Sequence, residues 1–317
     1  MFRSFRAQWL MDLADEVEVA HDILVGDDSS SDSIRKLCRD GLRGPHMPII
    51  IGHHRQSSKR PHLTAWHHQH QARVNTFMEQ PVIKRIINWI TDVVEIVFPG
   101  IAHQFKQDAK WHEEHYGIKP MFGLFWNLCL NAWLKDQKSI HCGPHADKKN
   151  QVGICLLLIY VLKSGKNLNH HQRTWIVIWE AGVAVQLPPW VLAMYPSALF
   201  YHFNIDVDEI KFVTVDGDER PTPQNSQPIR DGDGEGRGSF VFFNQSTMRH
   251  GPATGFNTLE DAEANAIYDL CSVYRFSAAD LPSMSAELDQ RVARPPCCEN
   301  CPQSTSAPSQ MRTGGGC

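Results

Sequence analysis

The sequence predicts an α+β protein in which helices flank an antiparallel β core of the sandwich, jelly-roll or barrel kind. Three observations point there. After Pro120 the chain becomes a series of short apolar segments rich in β-branched and aromatic residues: "MFGLFWNLCLNAWL", "VGICLLLIYVL", "TWIVIWE", "VAVQL", "VLAMYP", "LFYHFNI" and "SFVFFNQ". No ten-residue helical pattern alternates with them, which argues against a parallel α/β sheet. Helical periodicity is confined to the flanks, at 76–98, 101–115 and 258–292.

Taken in order, residues 1–24 and 32–43 have mixed helical periodicity, interrupted by "GDDSSSDS". Gly52–Asn75 holds six histidines among Lys and Arg residues with no apolar period. It reads as a solvated linker in preference to a metal- or phosphate-binding arm. Ile83–Phe98 carries Lys84, Arg85, Asp92 and Glu95 and predicts an amphipathic helix, and Pro99-Gly100 joins it to the next one. No window offers the roughly 18 uninterrupted apolar residues of a membrane span. Val213–Gly238 is polar and proline-containing, as a surface insertion over 214–236 would be. Thr258, three residues before Asp261, is placed to cap a C-terminal helix. Cys297, Cys298, Cys301 and Cys317 lie among Pro, Ser and Gly, which suits a disordered tail better than a tetrahedral zinc site. The expected organisation is a helical segment and linker over 1–75, a main domain over 76–275, and a C-terminal helix and tail over 276–317. Within the main domain, helical support spans 76–118 and the β core spans 120–250.

The net charge of −4 gives no global attraction to nucleic acid, so any phosphate-binding surface must be local. The N-terminus shows no secretion signal, and the nine cysteines follow no disulfide rhythm. The expected location is intracellular, nuclear or cytoplasmic, with reduced thiols, no membrane contact and no obligate protein partner.

The chemistry centres on His145-Ala146-Asp147, directly before a long apolar run. In an extended chain residues i and i+2 project to one side, so both side chains reach one ion from the edge of a strand. Two histidines and one carboxylate on one face make the ferrous facial triad, which leaves positions for a bidentate co-substrate and O2. The third ligand must come from a distant strand. His202 in "LFYHFN" follows His145 by 57 residues, room for about four strands at ~5–6 residues each plus turns. His250 in "STMRHG" is the rival, and His141 reads as a non-ligating neighbour. A docked dicarboxylate needs a buried planar donor, which means arginine. Arg237 enters the apolar strand "GRGSFVFFNQ", with Ser239 on the same face.

The ordered set His145, Asp147, His202, Arg237 and Ser239 resembles the 2-oxoglutarate- and Fe(II)-dependent dioxygenases. More narrowly, "LFWNLCLNA", "HCGPHADKKN", "VIWEAGVAVQLPP", "YPSALFYHFN" and "GRGSFVFFNQ" resemble the fungal TET/JBP-like branch, over roughly residues 120–250. The resemblance implies a double-stranded β-helix (jelly-roll) core. It implies Fe(II) held by His145, Asp147 and His202, with 2-oxoglutarate anchored by Arg237 and Ser239. It also implies hydroxylation of a C–H bond, with the methyl group of a modified DNA pyrimidine as one substrate and Asn150 where co-substrate and base meet. A protein side chain, a small metabolite, or a jelly roll kept only for binding are the alternatives. In "LPPWVLAMYP", Trp190 stands where such a turn has Gly, which implies a differently shaped turn if the position needs a positive φ. The 35 residues from His202 to Arg237 require the insertion to loop out of the sheet.

Overall fold

The short apolar segments after Pro120 become a pair of antiparallel sheets. The computed structural model describes residues 7–26, 46–55, 58–132, 140, 142–162, 168, 170–173, 175–207, 213–214, 220, 222, 224–228 and 236–265. The Cys-rich tail, His141 and the helical predictions for 32–43 and beyond residue 265 lie outside these residues.

The chain begins with α1 (Ala7–Val25) and β1 (Met47–His54), then β2 (His62–Leu63), α2 (Ala65–Gln69) and α3 (Gln71–Glu79). Helices α4 (Pro81–Val97) and α5 (Pro99–Tyr116) follow. Next come β3 (Asn127–Ala132), β4 (Cys155–Val161), α6 (His170–Arg173), β5 (Trp175–Ile178), β6 (Val183–Gln186), β7 (Leu192–Tyr195) and β8 (His202–Ile205). A short ribbon of β9 (Val213–Thr214) and β10 (Gln227–Pro228) precedes β11 (Arg237–Phe243), α7 (Ser246–Thr254) and α8 (Leu259–Ala264).

The larger sheet has the order β2-β1-β3-β11-β4-β7 and the smaller the order β6-β5-β8, with antiparallel pairing throughout. The period of two along each strand sorts its side chains between two environments. On β4, Leu156, Leu158 and Tyr160 join the core under the helices, whereas Leu157 and Ile159 face a second cluster with Ile176, Leu187 and Tyr195. Both faces are covered, which is why β4 is buried along its whole length. On β11, Phe240 and Phe242 belong to the helix-side core. Arg237, Ser239 and Val241 lie on the alternate positions, where the larger sheet turns toward the smaller.

The predicted amphipathic helix is α4. Val82, Ile83, Ile86, Ile87, Ile90 and Val94 are buried at helical spacing, and Lys84 and Arg85 are exposed. Pro81 and Pro99 each occupy a first helical position, where the missing N–H removes no intrahelical bond. The predicted helix 76–98 is therefore two, divided at Gln80. Thr258 does cap α8, its hydroxyl accepting the Asp261 N–H at 3.0 Å.

Two expectations are corrected. Gly52–Asn75 is not a solvated linker. The last residues of β1 fall in it and β1 pairs with β3 within the larger sheet, Thr64 caps α2, and Val74 is in the core. His67 is buried, with Nδ1 accepting the Gly52 N–H at 3.1 Å. The Arg55 guanidinium is buried and donates to the carbonyls of Ser58 and Lys59. Burial, reinforced by His67, His54 and His62, lowers the pKa of His53 to about 4. The cause is non-local: the apolar partners come from β3 and the helices, so no local period announces them.

The second correction concerns Trp190. It has φ 65°, the left-handed conformation that suits glycine. The turn keeps that shape, and the strain is held by packing. The Trp190 N–H donates to the Ile159 carbonyl at 2.8 Å. Its ring is 8% exposed and packs into the helix-side core, beside Leu13, Val82, Ile86 and Leu158.

Candidate metal centre

His145 and Asp147 sit on the irregular segment 142–150, not on the edge of a regular strand as their spacing suggested. A single antiparallel bridge ties this segment to β8. The His145 N–H donates to the His202 carbonyl at 3.2 Å, and the His202 N–H returns to the His145 carbonyl at 2.9 Å. Farther along, Cys142 and Asn204 are joined through the Asn204 N–H to the Cys142 carbonyl at 3.0 Å. Two histidines with β4, β5, β6 and β7 between them in sequence thus become direct neighbours, with ring centroids 4.3 Å apart.

Asp147 is set by a tight turn. Its N–H donates to the Ser197 carbonyl at 2.9 Å, and the Asn150 N–H closes back on the Asp147 carbonyl at 2.8 Å. The Asn150 side-chain amide donates to Asp147 Oδ2 and to Ser197 Oγ, each at 3.2 Å. Asn150 therefore orients the carboxylate directly. Asp147 Oδ1 lies 3.8 Å from His145 Nε2, and Oδ2 lies 3.9 Å from His202 Nε2.

The histidine tautomers follow from their partners. His145 Nδ1 lies 2.7 Å from the Gly143 carbonyl, and His202 Nδ1 lies 3.0 Å from the Phe200 carbonyl. A carbonyl only accepts, so each Nδ1 carries a proton, and in the neutral tautomer this selects, the lone pair is presented at Nε2. Both lone pairs then stand beside Asp147. Among the described residues, His145, Asp147 and His202 are the group of metal-ligating side chains close enough to share an ion, with donor atoms within 4.8 Å of one another. A divalent ion bound at about 2.0–2.2 Å from each donor needs only a small closing of this set. A carbonyl behind Nδ1 is the kind of partner that holds a ligating imidazole in place in metal sites. His250 is elsewhere, buried on α7.

Arg237 and Ser239 line the same cavity as the three donors and Asn150, a space of about 470 Å³. Arg237 is 4% exposed. Its Nη1 donates to the Ile140 carbonyl at 3.0 Å, and its buried Nε has no partner among the described residues. Burial lowers its pKa from the ordinary value, while Cys142 and Asp206 act in the opposite direction. Among the described residues no carboxylate forms an ion pair with it. A buried guanidinium in that condition favours an anionic occupant. Ser239 lies two residues along β11, beside Asn131 of β3. Leu157, Ile159, Ile176 and Val241 give the cavity apolar walls, and Lys148 and Lys149 are exposed at its edge.

Sequence reasoning passed over Asn131, Tyr195, Ser197 and Asn204. Asn131 had a signal: with Asn127 and Cys129 it alternates against Leu128, Leu130 and Ala132, so a polar face was written into "NLCLNA". The others are legible only once β8 and segment 142–150 are paired. Among the described residues no helix is long and apolar enough to cross a membrane.

No protein-family model and no curated relative matches the chain. Among solved structures, NgTET1 in complex with 5mC DNA is similar at a TM-score of 0.42 and 11% identity, over 72% of this chain and 68% of that one.

Proposed function

We propose that the protein is a non-haem Fe(II)- and 2-oxoglutarate-dependent oxygenase that hydroxylates a C–H bond. The observation that carries this reading is the pair of imidazoles whose Nδ1 protons are tied to backbone carbonyls, leaving both Nε2 lone pairs beside one carboxylate. Two neutral imidazoles and one carboxylate suit ferrous iron and leave positions for co-substrate and O2. Iron, 2-oxoglutarate and O2, once bound, would supply the oxidation, with succinate, CO2 and a hydroxylated substrate as products and the two atoms of O2 divided between succinate and the new hydroxyl.

The protein's own residues bind, orient and exclude water. His145, Asp147 and His202 are the ligands, and Asn150 holds the Asp147 carboxylate in place. Arg237, assisted by Ser239, receives the distal carboxylate of 2-oxoglutarate as a charge-assisted pair. Leu157, Ile159, Ile176 and Val241 give the cavity apolar walls, and an apolar surrounding strengthens such a pair.

The strand pairing supports a double-stranded β-helix. Counting β3 first, segment 142–147 second, then β4 to β8 and β11, the antiparallel partners are first with eighth, second with seventh, third with sixth and fourth with fifth. A long four-pair hairpin wound on itself gives this order in two facing sheets, which is the jelly roll. The β9–β10 ribbon falls between the seventh and eighth strands, outside both sheets.

The likeness of "HCGPHADKKN" and "GRGSFVFFNQ" to the TET/JBP-like branch extends the proposal to a methyl group on a modified pyrimidine in DNA. Lys148 and Lys149 at the cavity edge suit a phosphodiester approach, and an extruded base is what the cavity would take. The test is direct. Protein loaded anaerobically with Fe(II) and 2-oxoglutarate and then given O2 should form succinate, and His145→Ala should not. DNA carrying 5-methylcytosine should stimulate turnover over unmodified DNA. No succinate from the intact protein would leave a jelly-roll binding module. Succinate without stimulation would point to a protein or small-molecule substrate.

A further inference from the structure

We propose that Asn131 is a positioning residue for the co-substrate: it fixes the direction of the Ser239 hydroxyl proton and so turns Ser239 into a donor. The inference rests on the reading of Arg237 and Ser239 as the carboxylate site. Asn131 is opposite Ser239 in the β3–β11 register, and its Nδ2 donates to Ser239 Oγ at 2.9 Å. The amide is held in that sense from its other end, where the Cys129 thiol donates to Asn131 Oδ1 at 3.5 Å. All four residues line the cavity.

A serine hydroxyl has one proton and two acceptor lone pairs. Asn131 occupies a lone pair, so the proton is left for an acceptor. Arg237, two residues away on the same face, has donors only. Ser239 is 7% exposed, and among the described residues no acceptor takes its proton. A buried donor without a partner is costly. The Arg237 Nε is in the same condition. Two buried donors lacking acceptors line one cavity, and a carboxylate, which only accepts, satisfies both. Without Asn131 the hydroxyl is free to rotate, and the donor pair is no longer set before the ligand arrives.

The experiment is an anaerobic calorimetric titration of the Fe(II)-loaded protein with 2-oxoglutarate, with metal affinity and the urea midpoint measured alongside. Asn131→Leu should weaken 2-oxoglutarate about threefold, the cost of ordering a hydroxyl left free among three staggered wells. Asn131→Asp, nearly isosteric, should weaken it by more than Asn131→Leu, because the new carboxylate accepts the Ser239 proton and adds a like charge. Ser239→Ala removes that hydrogen bond and should cost more, about tenfold, and the double variant should be no weaker than Ser239→Ala alone, since both act through one hydroxyl. In turnover, KM for 2-oxoglutarate should rise with kcat kept at saturation. Losses from Asn131→Leu and Ser239→Ala that simply add, or wild-type affinity in both Asn131 variants with their metal affinity and folding intact, would overturn the role of Asn131 and leave the oxygenase reading standing. Absence of 2-oxoglutarate binding by the wild-type protein would overturn both.

Discussion

Replacing Trp190 by glycine pits two terms against each other. The residue sits at φ 65°, which costs a non-glycine residue about 1–2 kcal/mol. Glycine would remove that cost. The ring, however, is 8% exposed and packed against α1, α4 and β4. Truncating a buried aromatic of this kind typically costs about 3–5 kcal/mol. The balance is a net loss of about 1–4 kcal/mol for Trp190→Gly. Trp190→Ala loses the ring and keeps the strain, so it should be less stable than the glycine variant by about 1 kcal/mol. Equilibrium urea unfolding measures both, and at ~3 kcal/mol per molar, the upper end of the usual range for a chain this long, the glycine variant's midpoint should fall by roughly 0.3–1.3 M. A glycine variant as stable as wild type would refute the packing argument. An alanine variant at least as stable as the glycine variant would refute the backbone argument.

Arg237→Met should leave the protein without co-substrate unchanged or more stable, since an unpaired buried cation gives way to an apolar chain, while weakening 2-oxoglutarate by about 10²–10³-fold; thermal melting and calorimetry check the two halves. His112 is fully buried, with Nε2 against the Met248 carbonyl at 2.7 Å, and burial above all lowers its pKa to about 4. Its neutral form is favoured in the fold, so the unfolded chain binds the proton first. Stability from this group is full above pH ~6.5 and should be lost as pH falls toward 4, by up to about 3 kcal/mol, with a shallower loss in His112→Gln; urea midpoints from pH 7 to 4 read the difference. At Gly238 a Cβ would meet the Tyr160 ring and hydroxyl at 2.1–2.7 Å. Gly238→Ala should therefore destabilise by about 1–3 kcal/mol and shift Arg237 and Ser239 on either side, which unfolding and 2-oxoglutarate titration detect.

The strands after Pro120 were legible as short apolar runs rich in β-branched and aromatic residues and bounded by Gly, Pro and Asn, as in Leu156 to Tyr160, and a period of two survives where one face turns polar, as in "NLCLNA". Arg237 and Ser239 shared a face for the same reason. The helix α4 was legible from its apolar spacing, and its start at Pro81 from proline's fixed φ. β1 was missed although "PIII" is β-branched, because its neighbour "GHHR" looks solvated until β3 and α2 cover it.

By itself, then, the sequence determined which residues have the chemistry to meet: two imidazoles, a carboxylate and a guanidinium, each bordering an apolar segment. That much is local, since it depends on residue type and on side-chain alternation along one strand. Tertiary structure alone decided that His145 faces His202 through a two-bond bridge, that Asn131 stands behind Ser239, and that a tryptophan holds a left-handed turn. Those facts depend on register between segments far apart in the chain and on the free energy of burial they share, and no single stretch of sequence contains either.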